Sequence, residues 1–326
     1  MEGDALTVLQ SLPDESVHCI VTSPPYWRQR DYGVHGQLGL EPTPEEYIDR
    51  LVVIFAQARR VLRSDGTCWV NLGDKWASGG NGGGGAYMNE RKEAWAHVYK
   101  AKGWRKPPDG YKDKDLVGIP WMFAFAARAD GWFLRQCNVW AKPNGMPESV
   151  RDRSTVSHEY VFQLTKNNDY WYDPEAARTP PGPGADTRLR DPGARPTGKG
   201  RPDRPDKQRG HGRRHVGFNS RWDAMPVAQQ RENGANLRSV WWLTPANYRE
   251  GHYAVMPDAL AEICIVSGCP RSGTVLDPFA GAGTTGLVAD RLGRDALLIE
   301  LNPDYAAMAA RRIKGDAPLF AEVSHG

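Results

Sequence analysis

With 326 residues, 40% of them apolar, the chain is long enough for one large α/β domain or two modest ones and can bury a substantial core. Its net charge of +3 points to no partner by itself, and no stretch reaches the roughly 18 uninterrupted apolar residues of a membrane span, so a cytoplasmic protein with no membrane partner is expected. Met1-Glu2-Gly3-Asp4 lacks the basic-then-apolar pattern of a signal peptide, and the five cysteines (Cys19, Cys68, Cys137, Cys264, Cys269) are odd in number and lack a CxxC, which predicts buried reduced thiols and no metal site.

Gly3-Asp4-Ala5-Leu6 opens a short helix-like stretch. Val17 to Val21 is β-branched and apolar and reads as a strand. It stops at Thr22-Ser23-Pro24-Pro25-Tyr26, because two prolines cannot continue a central strand. Pro42 to Leu62 reads as a helix, with Thr43 as N-cap, Pro44 at the first helical position and Glu46 at the third. Its apolar residues Ile48, Leu51, Val52, Phe55, Ala58 and Leu62 recur at helical spacing. Asp65-Gly66 then turns into a second strand, Thr67 to Leu72. Gly79 to Gly85 is nearly all glycine, and polar sequence continues to about Asp115, so a mobile insertion is expected over 79–115.

Order returns with an apolar helix from Gly118 to Ala129 and strands at Phe133 to Trp140 and Glu159 to Leu164. Further on, Pro257 to Ser267 reads as a helix closed by Gly268. Thr274 to Leu276 is a strand, Thr284 to Leu292 a helix closed by Gly293, and Ala296 to Ile299 a strand. Asn302 caps a last helix with Pro303 at its first position. Strands alternating with helices predict an α/β fold with a largely parallel sheet covered on both faces.

Charge is uneven along this chain. Arg178 to Arg221 holds twelve Lys and Arg against four Asp and Glu, a local excess of +8, which leaves the remainder at about −5. This stretch is rich in Pro, Gly and Arg and has too little apolar content to form a core. Such basic segments often contact nucleic acid, though a solvated linker has the same composition. Lys100 to Lys114, with Trp104 and Tyr111 interleaved, is a second, weaker candidate for the same role.

The most informative stretch is Val275-Leu276-Asp277-Pro278-Phe279-Ala280-Gly281-Ala282-Gly283-Thr284-Thr285. It lies between a strand and a helix, where doubly wound folds bind ligands. Gly281 and Gly283 would let backbone approach a ligand closely. Glu300 ends the next strand, 23 positions after Asp277, a spacing suited to a carboxylate on ribose hydroxyls. The third glycine of a dinucleotide fingerprint is missing, and Asp277 would repel a pyrophosphate at that helix N-terminus. An acidic residue there suits an ammonium or sulfonium charge, and S-adenosylmethionine carries both. A structural Gly-rich turn is the competing reading.

Ser23-Pro24-Pro25-Tyr26 is a second constellation. The amino nitrogen of a base is a poor nucleophile because its lone pair is delocalised into the ring. Two acceptors aimed at its hydrogens favour the pyramidal, attacking geometry, and Ser23 Oγ and the Pro24 carbonyl can supply them. The prolines pre-organise the loop, and Tyr26 offers a flat face for a flipped base. A Pro-Pro turn followed by a core tyrosine would leave the same signature.

Together, Ser23-Pro24-Pro25-Tyr26 and Asp277-Pro278-Phe279-x-Gly281-x-Gly283 resemble the catalytic and cofactor motifs of the DNA methyltransferases that methylate base amino groups. The order of the two motifs resembles the β-class, a circular permutation of the Rossmann-like methyltransferase fold. Gly3-Asp4-Ala5-Leu6, Trp140-Ala141-Lys142-Pro143-Asn144, Asp152-Arg153-Ser154-Thr155 with His158-Glu159, and His252-Tyr253-Ala254-Val255-Met256-Pro257 resemble further motifs of that family. The resemblance covers most of the chain outside roughly 79–115 and 170–236.

That resemblance implies S-adenosylmethionine as cofactor and double-stranded DNA as partner. Asp277, Pro278, Phe279, Gly281, Gly283 and Thr284 would line the methionine side, with His252 and Pro257 helping to hold it. Glu300 would bind ribose, and Asp4 would face the adenine amino group. Ser23, Pro24, Pro25 and Tyr26 would act on the target base, and transfer would occur in one step without a covalent enzyme–base intermediate. Residues 1–168 and 237–326 would form the catalytic domain, and 169–236 a basic target-recognition region in which Arg188, Arg190, Arg201, Arg204, Arg213 and Arg214 contact DNA. A restriction endonuclease is the candidate protein partner. Ser at the first position of the catalytic loop favours N4 of cytosine as the target atom. N6 of adenine, RNA or protein methylation, and a DNA-binding regulator without catalysis remain as alternatives.

Overall fold

The computed structural model describes residues 1–77, 99–100, 107–145, 147–179, 236–246, 255–316 and 323. Two units are distinguished, Met1–Asp173 with Arg238–Gly326 and Pro174–Leu237. The elements below belong to the first. In the second, the described residues include a turn in which Arg178 pairs with Glu175 at 2.8 Å.

Strand β1 (Val17–Thr22) is buried along nearly its whole length, with only His18 partly exposed. A strand with both faces covered needs a continuous apolar run rather than alternation. It sits between two parallel neighbours, β3 (Leu62–Leu72) and β8 (Thr274–Asp277), pairing Ile20 with Cys68 and with Leu276. Among the described residues the sheet has seven strands in the order β7-β5-β6-β3-β1-β8-β9, with β5 at Phe133–Ala141, β6 at His158–Thr165, β7 at Val240–Trp242 and β9 at Asp295–Leu298. Only β6 runs against its neighbours, β3 and β5. A short antiparallel pair, β2 (Arg30–Asp31) with β4 (Tyr99–Lys100), stands apart.

The helix α2 (Pro44–Val61) begins as its sequence dictates: the Thr43 side chain accepts from Glu46 N at 3.2 Å, and Pro44 occupies the first turn. Its buried stripe includes Leu51, Ile54, Phe55 and Ala58. Phe55 meets Phe123 of α3 (Ile119–Ala129) edge-on, with ring centroids 4.8 Å apart. α1 (Ala5–Ser11), α2 and α3 share one core with Cys68, Val70 and Leu72 of β3. The alternate residues Thr67 and Trp69 face α4 (Asp258–Gly268), where a Cβ on Gly268 would fall 2.4 Å from each. Strand periodicity therefore places α4 on the opposite face of the sheet. α5 (Thr284–Arg291) joins β8 to β9, and α6 (Pro303–Asp316) follows, with the Asn302 side chain accepting from Asp304 N at 2.9 Å.

One element differs from expectation. β3 begins at Leu62 rather than after Asp65-Gly66. Its pairing with β1 steps from Val17↔Leu62 to Cys19↔Thr67, so the turn-like Asp-Gly is absorbed as an irregularity within the strand. Most of 79–115 lies outside the described residues. The two ends of that segment are drawn together, with Ala77 N donating to Asp115 O at 2.8 Å and Val117 N to Lys75 O at 2.9 Å.

The start of the chain continues the layer beside the residue that follows β9. Gly3 N donates to Glu300 O at 2.9 Å, and Glu300 N donates to Met1 O at 3.1 Å. This architecture is the largely parallel α/β sheet expected, made mixed by the reversed β6, with the Ser23 loop placed before the Gly281 loop in sequence but beside it in space. Among the described residues no helix is long and apolar enough to cross a membrane.

Candidate active site

Because β1 and β8 are parallel neighbours, the loops that follow them leave the sheet at the same edge. They meet at a cavity of about 620 Å³. Ser23, Pro24, Pro25 and Tyr26 line it from β1, and Asp277, Pro278, Phe279, Gly281 and Thr284 line it from β8. Asp4 and Glu300 also line it, from the start of the chain and the end of β9. Gly283 and Pro257 do not. Gly283 caps α5 at φ +73°, and a Cβ there would lie 2.7 Å from Ala309 Cβ, so its smallness serves helix packing. Pro257 caps α4 and borders a separate, smaller hollow with Arg312. His252 lies outside the described residues, as do Arg188, Arg190, Arg201, Arg204, Arg213 and Arg214.

The Ser23–Tyr26 loop is held from behind. The buried Tyr47 donates its hydroxyl to Pro25 O at 2.8 Å, and Trp27 Nε1 donates to Glu41 O at 3.0 Å. Tyr26 lays its ring against Gly73, where a Cβ would come within 2.8 Å of Cε2. Its hydroxyl donates to Glu159 Oε2 at 2.6 Å, and Ser23 Oγ donates to the Tyr26 hydroxyl at 3.4 Å. Asn71 Nδ2 donates to the same Glu159 oxygen at 3.0 Å. Lys142 forms an ion pair with the other oxygen, its ammonium lying 4.4 Å from the Trp140 ring centroid. Burial, reinforced by the Glu159 charge, pushes the Tyr26 phenol well above its ordinary range, so it remains a protonated donor.

The reversed strand explains how Glu159 arrives there. A parallel strand in that place would carry its second residue to the far edge of the sheet. β6 runs antiparallel, so its beginning pairs with the end of β3, Leu72 opposite Tyr160 and Asn71 opposite Val161. Glu159 thus enters the cavity beside the ends of β1 and β3.

The other half of the cavity is acidic and partly aromatic. The Asp277 carboxylate is 3% exposed and fully engaged with the protein: Thr22 Oγ1 donates at 2.6 Å, Thr285 Oγ1 at 2.7 Å and Phe279 N at 3.0 Å. Burial raises its pKa, opposed by these bonds. Glu300 Oε2 accepts from Gly281 N at 2.7 Å and Oε1 from Asn302 N at 2.9 Å, and burial also raises its carboxyl above the usual range. Asp4 Oδ1 caps α1 by accepting from Thr7 N at 3.0 Å. Thr284 Oγ1 accepts from Arg312 at 2.7 Å, and Arg312 reaches Asp258 at 3.0 Å. Tyr32 and Tyr305, both on the cavity wall, meet edge-on with centroids 6.1 Å apart.

This donor set fits a cationic nucleoside ligand. Glu300 presents carboxylate oxygens already oriented by two backbone N–H groups, each with acceptor capacity left for hydroxyls. Tyr32, Phe279 and Tyr305 supply flat apolar surface, and the carboxylates suit a positive charge. Tyr32, Tyr305 and Asn71 were not singled out from the sequence. Asn71 left a signal, since it is an amide in the otherwise apolar strand Cys68 to Leu72, and a buried amide requires partners. The two tyrosines left none.

A family model described as DNA methylase matches residues 17–311. The type II methyltransferase M.Cfr9I of Citrobacter freundii is 41% identical over 97% of this chain and 87% of its own length. The solved cytosine-N4-specific PvuII DNA methyltransferase shares the fold with a TM-score of 0.59 at 19% identity, over 95% of this chain and 84% of that one. A structure of TTHA0409 from Thermus thermophilus, described as a putative DNA modification methylase in complex with S-adenosyl-L-methionine, has a TM-score of 0.55 at 22% identity, over 99% and 98% of the two chains.

Proposed function

The chain belongs to the DNA methylase family whose model spans residues 17–311, and on that premise we propose that it transfers a methyl group from S-adenosylmethionine to N4 of a flipped cytosine in double-stranded DNA. The observation that carries this reading is the convergence of the Ser23–Tyr26 loop and the Asp277–Thr284 loop on one cavity, large enough for a base and a nucleoside ligand side by side. When bound, S-adenosylmethionine supplies a methyl group on a positively charged sulfur.

The chain's own residues do the rest. Glu300 holds ribose hydroxyls, and Asp4 stands beside it to accept from an adenine amino group. Asp277 acts one step back, shaping the loop that carries Phe279 and Gly281. Tyr26 stacks against the extruded base, and Gly73 lets its ring lie close to the backbone. Ser23 Oγ and the Pro24 carbonyl accept the amino hydrogens, which turns the nitrogen lone pair out of the ring and toward the methyl group. The loop loses little entropy in doing so, because Tyr47 and the two prolines already fix it.

Cytosine is favoured over adenine by Ser23. A hydroxyl can donate to a ring nitrogen or accept from an amino group, whereas an ionised Asp can only accept. In the family, Ser at this position is commoner among cytosine-N4 enzymes. The likeness to a type II methyltransferase supports a modification enzyme working with a restriction endonuclease in the cytoplasm. The basic region 169–236 would read the target sequence. Digesting the methylated DNA to nucleosides and measuring their masses tests the choice of base: N4-methylcytosine is expected, and N6-methyladenine as the sole product overturns it.

A further inference from the structure

We propose that Glu159 is the final acceptor of the proton released by the target amino group, reached from Ser23 through the Tyr26 hydroxyl. The proposal rests on the reading above only in requiring an exocyclic amino group at Ser23; either base would satisfy it.

The geometry already holds a directed chain. Ser23 Oγ donates to the Tyr26 oxygen at 3.4 Å, and the Tyr26 hydroxyl donates to Glu159 Oε2 at 2.6 Å. Methyl transfer forms an N–C bond with the nitrogen lone pair as the sulfur–methyl bond breaks with its electron pair left on sulfur, so the positive charge passes to the nitrogen, which then carries one hydrogen too many. The excess proton passes to Ser23 Oγ while the Ser23 proton passes to the Tyr26 oxygen and the Tyr26 proton to Glu159. The N–H bonding pair stays on the nitrogen. Both hydroxyls end as they began, and Glu159 ends as a neutral acid.

Other carboxylates on the cavity wall are committed elsewhere. Asp74 Oδ1 accepts from Lys75 N, Gly118 N and Ile119 N at the start of α3. Glu148 pairs with Arg153 at 2.7 Å. Asp277 is bound by Thr22, Thr285 and Phe279, and Glu300 by Gly281 and Asn302. Among the described residues, Glu159 is the carboxylate joined to Ser23 by hydroxyl groups.

Its surroundings also suit the task. The Glu159 side chain is 15% exposed, so its charge is little screened, and Lys142 balances that charge. After transfer the Lys142 ammonium faces a neutral acid, which favours passing the proton on to water. The ionisable groups facing Glu159 are Tyr26 from the Ser23–Tyr26 loop and Lys142 beyond β5; its strand neighbours His158 and Tyr160 meet each other on the opposite face of the sheet. Asn71 from β3 is neutral: its Nδ2 donates to the carboxylate at 3.0 Å, and its Oδ1 is a second acceptor for the Tyr26 hydroxyl at 3.2 Å, farther than Glu159 at 2.6 Å.

The test compares the unsubstituted protein with Glu159→Gln and Tyr26→Phe, following one turnover of labelled methyl transfer to DNA across pH. With S-adenosylmethionine saturating at every pH, so that the Glu300-linked loss of affinity does not contribute, the rate in the unsubstituted protein should fall on acidification, because the relay needs an ionised acceptor at its end. Glu159→Gln keeps the hydrogen bond to Tyr26, and Tyr26→Phe keeps the stacking face. Each should slow transfer roughly 10²-fold and remove that pH limb, while affinity for S-adenosylhomocysteine by calorimetry stays unchanged. Either variant transferring at the unsubstituted rate with the limb intact overturns the relay. Absence of transfer by the unsubstituted protein would instead overturn the proposed function.

Discussion

Thr22 Oγ1 donates to Asp277 Oδ1 across 2.6 Å, although the two residues are 255 positions apart. Thr22 ends the strand before the Ser23–Tyr26 loop, and Asp277 ends the strand before the Gly-rich loop. The same carboxylate takes Phe279 N and the hydroxyl of Thr285 in the first turn of α5. One buried side chain therefore fastens both loops.

Asp277→Ala should accordingly destabilise the protein even without cofactor. It orphans buried donors at about 1–3 kcal/mol each, with the threonine hydroxyls able to turn partly to other acceptors. A loss of about 2 kcal/mol corresponds to roughly 4–8 °C in melting temperature for a domain of about 150–250 residues. Cofactor affinity should fall as well. A cofactor-free melting temperature equal to that of the unsubstituted protein would remove the latch and return Asp277 to direct contact with the ligand.

Glu300 should make cofactor binding pH-dependent. Its carboxyl is raised by burial, so protonation begins at higher pH than for an exposed glutamate. Burial favours the protonated form more in the folded protein than in the unfolded chain, so the stability this group contributes is lost as pH rises through its folded pKa. A ligand that needs the carboxylate has the opposite preference. Affinity should be constant at neutral pH, fall on mild acidification, and be accompanied there by proton release. Titration calorimetry in buffers of different ionisation enthalpy measures that release. Glu300→Gln should bind more weakly and release no proton; an unchanged proton count in that variant would clear Glu300 of the role.

Gly73→Ala separates base stacking from cofactor binding. The added Cβ would lie 2.8 Å from Tyr26 Cε2, so the ring must tilt. Turnover should drop about tenfold or more, as expected when a reacting group is displaced by a fraction of an ångström, with cofactor affinity unchanged. Full turnover in this variant would mean that the Tyr26 ring position is unimportant to the target base.

Replacing Arg188, Arg190, Arg201, Arg204, Arg213 and Arg214 with glutamine should weaken DNA binding and flatten its dependence on salt. For every phosphate no longer neutralised, the slope of log affinity against log salt shrinks by about 0.9. A slope identical to that of the unsubstituted protein would leave the basic region as a linker.

By itself the sequence determined the α/β class, the helix limits set by Thr43-Pro44 and Asn302-Pro303, and the two loops that meet at the cavity. These are local matters. Capping, strand-breaking prolines and apolar spacing act over a few residues, so they are written in consecutive letters. It did not determine which residues stand behind those loops. Asp277 reads as a ligand contact when only its neighbours in sequence are seen, yet its partners Thr22 and Thr285 come from two different elements. Gly283 reads as a ligand glycine, but Ala309 of α6 claims its open side. Glu159 reaches Tyr26 only because β6 alone is reversed, a property of strand order that no local pattern encodes. Hydrogen bonds and van der Waals contacts act over a few ångströms in space, so between residues this distant in sequence, only the closed sheet brings them within range.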